Sequence, residues 1–426
     1  MVFHPRDPRF RSLSRRDFLR RSLATGVALP SAAAILAACG GDGNDDVGGG
    51  DGTGDIGFSL TPTPDDPVTY PIYDDNPMIA SDLEPETNTT FTIFNWIDYL
   101  WPKKLREFGE KYGVEVEYTT FYNSETAVER IRNGELQADV YFPTYDYLPR
   151  LVAAKLMQPL NHDYIPNLAN AWPSIQSPFY DQDSKYSVPY TIYTTGIEYL
   201  APEVAKAPEE YDNPYDIFWD GANAGKVGLY DEYREVFSMT LLRNGVEDIN
   251  TADEAAIEQA KKDIVDAIAA TNARLTINGA YAKLPTGTFY VHQSWSGDAV
   301  AAQYYTANGY KPGDLGFWYP DSGGVIGNDM MAIPANAKNP VLAHLFINYM
   351  LEDRIGLQNF GWVGYQPPLS SIEPDTLVKD GWVPENLRSA IVTEDQFGSN
   401  ELILPLEPDV DAKYLDAWEE ITSGAG

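Results

Sequence analysis

The sequence predicts an α/β protein with a mainly parallel sheet and enough chain for two domains. From residue 90 onward, strand-like and helix-like segments alternate, and such alternation places parallel strands side by side through right-handed crossovers. About 340 residues follow a low-complexity N-terminal region, more than one hydrophobic core usually organises. Internal repeats of solenoid length are absent from the sequence.

The first alternating unit begins with residues 90–94, whose β-branched and aromatic side chains predict a strand. Pro102 then begins a helix with an apolar face. The alternating segment VEVEYTTF predicts a second strand, and Asn123 or Ser124 can cap the helix that follows. ADVYF predicts the third strand of this unit.

The alternation resumes with a long β-type segment at residues 186–200. VGLYDEYREVF then predicts a strand that leads into a helix, with Asp231 as its N-cap. Thr251 and Glu254 have the spacing of a capping box before a long amphipathic helix. A further helix is expected to begin at Pro340.

Two stretches that mix aromatic and acidic residues follow predicted strands, FNWIDY at 94–99 and FPTYDY at 142–147. Ligands of open parallel sheets bind beyond the carboxyl ends of the strands. Trp96, Asp98 and Tyr99 therefore occupy a candidate ligand site. Aromatic faces beside a carboxylate suit a ligand that is itself a cation.

The first 38 residues predict a cleaved export signal. Arg15 and Arg16 form a twin-arginine motif before a short apolar run, which ends in a lipoprotein cleavage box at Cys39. The run is shorter than the roughly 20 residues of a membrane-spanning helix, and Pro30 interrupts it. Cys39 is the only cysteine of the chain, so no intramolecular disulfide can form, and we expect it to carry lipid.

Residues 39–87 are rich in Gly, Asp and Pro, which predicts a flexible tether. Without residues 1–38, the chain has 23 basic and 61 acidic residues, a formal charge of −38. Such a charge repels nucleic acid and draws small cations towards any cleft where acids converge. Solubility alone, or adaptation to salty surroundings, would explain the same composition.

From residue 88 to its end, the chain resembles the periplasmic spermidine/putrescine-binding proteins of ABC importers, with a putrescine-type pattern. The matching pieces occur in order: FNWIDY, ADVYFPT, YSVPYTIYTTGI, YDEYREVF, SWSGDAV, GNDMMAIPANAKNP, VGYQPP and DAWEEITSG. The resemblance implies a two-lobed type II binding-protein fold that closes on a ligand. Lobe 1 would comprise residues 88–193 and 326–372, and lobe 2 residues 194–325 and 373–426, with hinges near 190–195 and 326–331.

The resemblance also implies a set of ligand-binding residues. The aromatic box of the family falls on Trp96, Tyr99, Trp295 and Tyr365. Its acids fall on Asp98, Glu232, Glu235, Asp298 and Asp329, and its small hydroxyl residue on Thr144. Carboxylates suit the ammonium groups of a polyamine, and aromatic faces suit the methylene chain between them.

Each of these assignments has a structural alternative. Trp96 and Trp295 could be core residues, and Tyr365 could cover the edge of a lobe. Glu232 and Glu235 could simply favour a helix N-terminus. A turn role would explain Asp329. 

The chain also departs from the family pattern at two positions. Gly327 stands where spermidine-type members have tryptophan and putrescine-type members phenylalanine, which predicts an open wall in the aromatic box. Asp146 replaces an aromatic residue of the spermidine type, and we leave it out of the predicted site. These departures leave the choice among diamines, triamines and bulkier cations open.

The residue types of the chain also bear on other functions. Paired carboxylates beside aromatic rings also describe glycoside hydrolases, and a binding protein of the same fold could take another cation, ferric iron or a sugar. Cysteine catalysis, zinc spacing and phosphate-binding loops find no support in the sequence. We therefore expect a monomeric, lipid-anchored extracytoplasmic receptor that delivers a polyamine to an ABC permease, with no catalytic step, cofactor, metal or nucleic-acid partner.

Overall fold

The computed structural model describes residues 56–121, 124–277, 279–321 and 323–424. In chain order, strands β1 to β11 are Thr90–Trp96, Glu115–Phe121, Val140–Tyr141, Met157–Gln158, Ser187–Leu200, Val227–Leu229, Arg274–Leu275, Val291–Trp295, Leu315–Trp318, Val325–Pro334 and Glu401–Leu402. Helices α1 to α12 are Pro102–Tyr112, Ser124–Arg132, Leu148–Ala153, Tyr233–Arg243, Glu254–Thr271, Ala280–Lys283, Ser296–Ala302, Pro340–Met350, Asp353–Val363, Pro374–Lys379, Glu394–Ser399 and Pro408–Gly424. Short 3₁₀ helices connect several of them.

One sheet joins most strands in the order β2-β1-β3-β10-β5-β8-β6-β7. At one end β1 is parallel to β2 and β3, and at the other β6 is parallel to β7 and β8. These parallel ends are those that the alternating pattern predicts. The centre is antiparallel, because β10 pairs in that sense with β3 and β5, and β5 with β8.

The two long central strands, β5 and β10, connect the parallel ends. Their pairing extends from Thr195 opposite Val325 to Ser187 opposite Ala332, with an irregularity after Asp329. Both strands are buried along most of their length. This register places Tyr193 opposite Gly327 and Thr191 opposite Asp329.

The buried apolar side chains form two clusters that include residues of strands and helices. One includes Phe91 of β1, Phe108 of α1 and Phe346 of α8. The other joins α4, α5 and α12 through residues such as Phe237, Ile264 and Tyr414. Each fully buried side chain of this size contributes about 1.5–3 kcal/mol. Trp295 packs against both clusters, so the end of β8 lies where the two meet.

Two predicted helix caps are wrong by one or two residues. The N-cap of α4 is Glu232 rather than Asp231, because the Glu232 carboxylate accepts from the Glu235 backbone N–H at 2.9 Å. The N-cap of α5 is Asp253, which accepts from the Ala255 N–H at 2.9 Å, so Thr251 and Glu254 form no capping box. In both cases, an acid nearer to the first turn reaches an N–H without an intrahelical partner.

The start of α8 agrees with the prediction, because this helix begins at Pro340 after Asn339. The helix α2 begins at Ser124, so Ser124 is its first helical residue and not its N-cap. The alternative cap Asn123 lies outside the described residues.

Residues 57–87, which we call the N-terminal strap, pack against the rest of the fold. The flexible tether predicted for these residues is therefore wrong. Val68 and Tyr70 are buried in the first apolar cluster, and the Val68 N–H donates to the Phe179 carbonyl at 2.8 Å. The Glu86 carboxylate accepts from the Val341 and Leu342 N–H groups at 3.1 and 2.9 Å, at the start of α8. Turn residues dominate the composition of the strap, so the few apolar side chains that anchor it give only a weak signal in the sequence.

The expected signal peptide, the lipid-carrying Cys39 and the tether over 39–55 lie outside the described residues and stay predictions. Within the part of the chain that the structure describes, none of the helices combines the length and apolar character needed to cross a bilayer.

Candidate functional site

A row of aromatic rings lies where β1, β5, β8 and the segment after α9 meet. Tyr365 is in edge contact with Tyr99, with ring centroids 4.8 Å apart, and it lies 6.1 Å from Tyr193. The Tyr193 ring lies 5.9 Å from Trp295, which packs at 4.4 Å against Tyr230. The structure thus brings together three rings of the predicted aromatic box, those of Tyr99, Trp295 and Tyr365.

Three buried acids hydrogen-bond to these rings. Asp329 accepts from the Tyr99 hydroxyl at 2.6 Å, and Asp298 from the Tyr365 hydroxyl at 2.9 Å. Glu235 accepts from the Trp295 indole Nε1 at 2.7 Å. The exposed fractions of Asp329, Asp298 and Glu235 are 6%, 6% and 5%. Alternating acids and aromatic faces are the arrangement expected of a site for an extended cation.

Burial makes these acids costly to ionise in the absence of a cation. It raises the pKa of Asp298 to about 7, although the phenols of Tyr365 and Tyr230 offset part of the rise. Burial likewise raises the pKa of Asp329 to about 7, against the hydrogen bond from Tyr99. The pKa of Glu235 is raised for the same reason. A positive ligand would favour the charged form of each of the three acids.

Arg234, the cation nearest to Glu235 in the sequence, hydrogen-bonds to other groups. Its guanidinium donates to the Leu404 carbonyl at 3.0 Å and to Asn250 Oδ1 at 2.6 Å. Arg234 therefore lowers the pKa of Glu235 through its field while leaving that carboxylate available to a ligand.

Thr144 lies beside Asp329, to which it is joined by an antiparallel bridge between the β3–α3 loop and β10. The half-buried Asp146 follows closely. Burial raises the pKa of Asp146, and the Thr144 hydroxyl offsets part of the rise by hydrogen bonding. The charge of Asp146 in turn raises the pKa of Asp329. The sequence analysis left Asp146 out of the site, but the structure places it at the Asp329 end.

Asp98 and Trp96 have neighbours other than the rings and buried acids described above. Asp98 is exposed, has a φ of 57°, and accepts from the Tyr281 hydroxyl at 2.8 Å. Trp96 packs on Phe121 with centroids 4.6 Å apart, and among the described residues its buried Nε1 has no hydrogen-bond partner. Asp98 therefore lies at the rim rather than among the three buried acids.

Glu232 has the helix-start role that the sequence analysis kept as its alternative. One of its oxygens caps α4. Burial, followed by the charge of Glu235, raises the pKa of Glu232 to about 8. A ligand contact by its other oxygen stays a prediction.

The open wall expected at Gly327 is absent. A Cβ atom at Gly327 would lie 2.8 Å from the Cζ and hydroxyl oxygen of Tyr193, so the Tyr193 ring covers this glycine. Tyr193 was not predicted as a site residue. It lies on β5, and the register in which β5 pairs with β10 cannot be read from the sequence. A tyrosine in a long β-type segment was the only available signal.

Glu198 of β5 is a buried acid that the sequence did not mark as a site residue. It is fully buried, and one carboxylate oxygen accepts from the Ser294 hydroxyl at 3.2 Å. Burial and the nearby charge of Asp298 raise its pKa to about 8. Within the described ranges, no group of three or more His, Cys, Asp or Glu side chains is placed to hold a metal ion.

Comparisons with known proteins give a consistent result. Residues 104–384 match the family described as bacterial extracellular solute-binding protein. Spermidine/putrescine-binding periplasmic protein 1 of Haemophilus influenzae is 30% identical over 288 residues, which cover 67% of this chain and 76% of that protein. The putrescine-binding periplasmic protein PotF of Escherichia coli is 26% identical over 354 residues, which cover 79% and 92% of the two chains.

Solved structures support the fold. The PotD substrate-binding protein of the spermidine/putrescine ABC transporter from Streptococcus pneumoniae has a TM-score of 0.64 and 24% identity to this chain. The match covers 80% of this chain and 100% of that protein. The predicted fold class, a two-lobed type II α/β fold, is thereby confirmed, while the residues at which one lobe passes into the other stay a prediction.

Proposed function

The chain belongs to the family of bacterial extracellular solute-binding proteins, and from this premise we propose that it captures a polyamine of the putrescine or spermidine class. The relatives described above are named for spermidine or putrescine. The resemblance of the sequence motifs supports the same ligand class.

One observation carries the proposal: three buried acids, Asp298, Asp329 and Glu235, each receive a hydrogen bond from an aromatic side chain. Ammonium groups would neutralise the acids, and the methylene chain would lie along the rings. A cation over an aromatic face contributes about 0.5–2 kcal/mol. A micromolar dissociation constant requires about −8 kcal/mol, which a few such contacts and charge-assisted hydrogen bonds supply.

The rest of the proposal concerns transport. The receptor would leave the cytoplasm by the twin-arginine route, hold to the membrane through lipid on Cys39, and pass its ligand to an ABC permease without chemical change. It would act as a monomer. Its lobes would close by a hinge motion of the two central strands, β5 and β10.

Calorimetric titration of the purified protein tests the ligand class. Putrescine, spermidine and spermine serve as ligands, with betaine and maltose as controls. We expect saturable heat from at least one amine and none from either control. Heat from maltose with none from the amines would overturn the proposal and favour a sugar-binding or hydrolytic role.

A further inference from the structure

We infer that Tyr193 forms the wall of the cleft at Gly327 and determines which amines fit. This inference rests on the proposed polyamine binding. The sequence predicts an open wall at this glycine, but the neighbouring strand supplies a side chain there, that of Tyr193.

The register of the central strands explains why Tyr193 covers Gly327. Tyr193 on β5 and Gly327 on β10 are direct antiparallel partners, so side chains at the two positions share one face of the sheet. A Cβ atom at Gly327 would lie 2.8–2.9 Å from three atoms of the Tyr193 side chain. A large side chain at 327 and the present position of the Tyr193 ring therefore exclude each other.

The Tyr193 ring occupies the middle of the aromatic row. It lies between Trp295 and Tyr365, at interplanar angles of 62° and 78°, so it meets both rings edge to face. It is only partly buried. After burial, the charges of Asp329 and Glu235 are the largest influences that raise the pKa of its phenol. The ring thus lies between Trp295, which donates to Glu235, and Tyr365, which donates to Asp298.

This position has a consequence for the ligand. Because the Tyr193 ring covers Gly327 and lies between Trp295 and Tyr365, it leaves less room beside the row of rings than a bare glycine would. A ligand that needs little width, an unbranched chain with primary or secondary amines, fits this restriction best. The phenol oxygen can accept a hydrogen bond from such an amine, which a trimethylated nitrogen cannot donate. Tyr193 therefore selects slender polyamines against bulkier cations.

A reciprocal exchange tests this role. The variants are Tyr193→Ala, Gly327→Phe and the double variant, with Tyr304→Ala, at a partly exposed tyrosine outside the site, as the matched control. Dissociation constants are measured for putrescine, spermidine and a putrescine with one trimethylated nitrogen, and melting temperatures are recorded without ligand.

Tyr193→Ala is expected to bind putrescine and spermidine about tenfold more weakly, the size of one lost aromatic contact, and to gain affinity for the trimethylated diamine. Gly327→Phe should weaken binding and lower the melting temperature, since its side chain displaces the Tyr193 ring. The double variant should recover most of both losses, because a ring at 327 then has room. Tyr304→Ala should match the wild type. If Gly327→Phe alone does not fold, a folded double variant supports the same conclusion.

Unchanged affinities of Tyr193→Ala for all three ligands would overturn the role of Tyr193, as would a double variant whose losses are the sum of the single losses. Either result in a protein that binds polyamines leaves the proposed function intact. A wild type that binds no amine would instead overturn the proposed function and the selective role together.

Discussion

Buried carboxylates in two regions of this molecule have contrasting surroundings. Asp181, before β5, accepts from three backbone N–H groups and the Ser187 hydroxyl at 2.8–3.0 Å. In the cleft, Asp298 and Asp329 receive hydrogen bonds from phenols. The loop acid is therefore saturated by its own chain, whereas the cleft acids keep acceptor capacity for another partner.

The difference separates stability from binding. A saturated acid organises the backbone that surrounds it, and its removal leaves several buried donors without a partner. An acid that few groups bond to costs the folded protein free energy until a cation arrives. Charge and burial alone would class the two kinds together, so the count of donors is the more informative property.

The acids that hydrogen-bond to phenols are expected to matter most for binding. Asp298→Asn or Asp329→Asn should weaken polyamine binding about 100-fold, because a lost buried charge pair typically costs 2–5 kcal/mol. Neither change should lower the melting temperature of the ligand-free protein. Calorimetric titration and thermal unfolding measure the two quantities.

Asp181→Ala should have the opposite effect to the Asp298 and Asp329 variants, with a loss of stability and no loss of affinity. It should destabilise the protein by about 1–3 kcal/mol because it strands buried N–H groups, while the folded fraction binds with unchanged affinity. Weaker binding by Asp181→Ala without loss of stability would contradict the division between the two regions.

The next effect concerns the indole of the cleft. Trp295→Ala should weaken binding of every polyamine by about tenfold or more, because it removes an aromatic face and the donor to Glu235. Trp295→Phe should retain part of the affinity, since it keeps a face and loses only the donor. Equal losses in the two variants, measured by titration, would show that the hydrogen bond rather than the face matters.

Polyamine affinity is expected to depend on pH. Because the pKa values of Asp298 and Asp329 are raised to about 7, both acids are increasingly protonated as the pH falls below 7, and polyamine affinity should fall between pH 8 and 5.5. The stability of the ligand-free protein should change in the opposite direction and decrease as the pH rises. The stabilising contribution of the raised pKa values is fully present below the unfolded pKa near 4 and is lost as the pH rises through about 7.

Spermidine should therefore raise the melting temperature more at pH 8 than at pH 5.5. Thermal unfolding across this range, with and without spermidine, measures the effect. The double change Asp298→Asn and Asp329→Asn should flatten the profile, and an equally steep profile in that variant would assign the titration to other groups.

The smallest expected effect lies in the N-terminal strap. Glu86→Gln removes the charge that faces the N-terminus of α8 and should cost about 0.3–1 kcal/mol of unfolding free energy. Polyamine affinity should stay the same. Urea unfolding measures the loss, and Glu84→Gln, at an exposed position of the same strap, is the control that should change nothing.

Several features of the fold were predictable because they depend on local patterns. The parallel unit β1–α1–β2 follows from alternating apolar residues and from Pro102 at a helix start. Caps were predicted less well, since Glu232 and Asp253 compete with neighbours of similar propensity and small differences in reach decide between them. The strap was missed because its few apolar anchors are spaced by turn residues.

The site shows the same division. The family motifs predicted an aromatic box of Trp96, Tyr99, Trp295 and Tyr365. The structure brings the last three together, whereas the Trp96 ring packs on Phe121. The motifs could not show that Tyr193 covers Gly327, because that contact depends on pairing between strands more than 130 residues apart. They also could not show that Asp98 lies at the rim with Tyr281.

The α/β class, the acidic charge and the residue types that suit a cation can be read from the sequence, because they depend on composition and on periodicities within a few residues. The burial of each acid, the number of donors that it receives and the ring opposite Gly327 are seen only in the folded chain. Those properties arise from distant segments that pack together, and burial and hydrogen bonding then set whether an acid is charged.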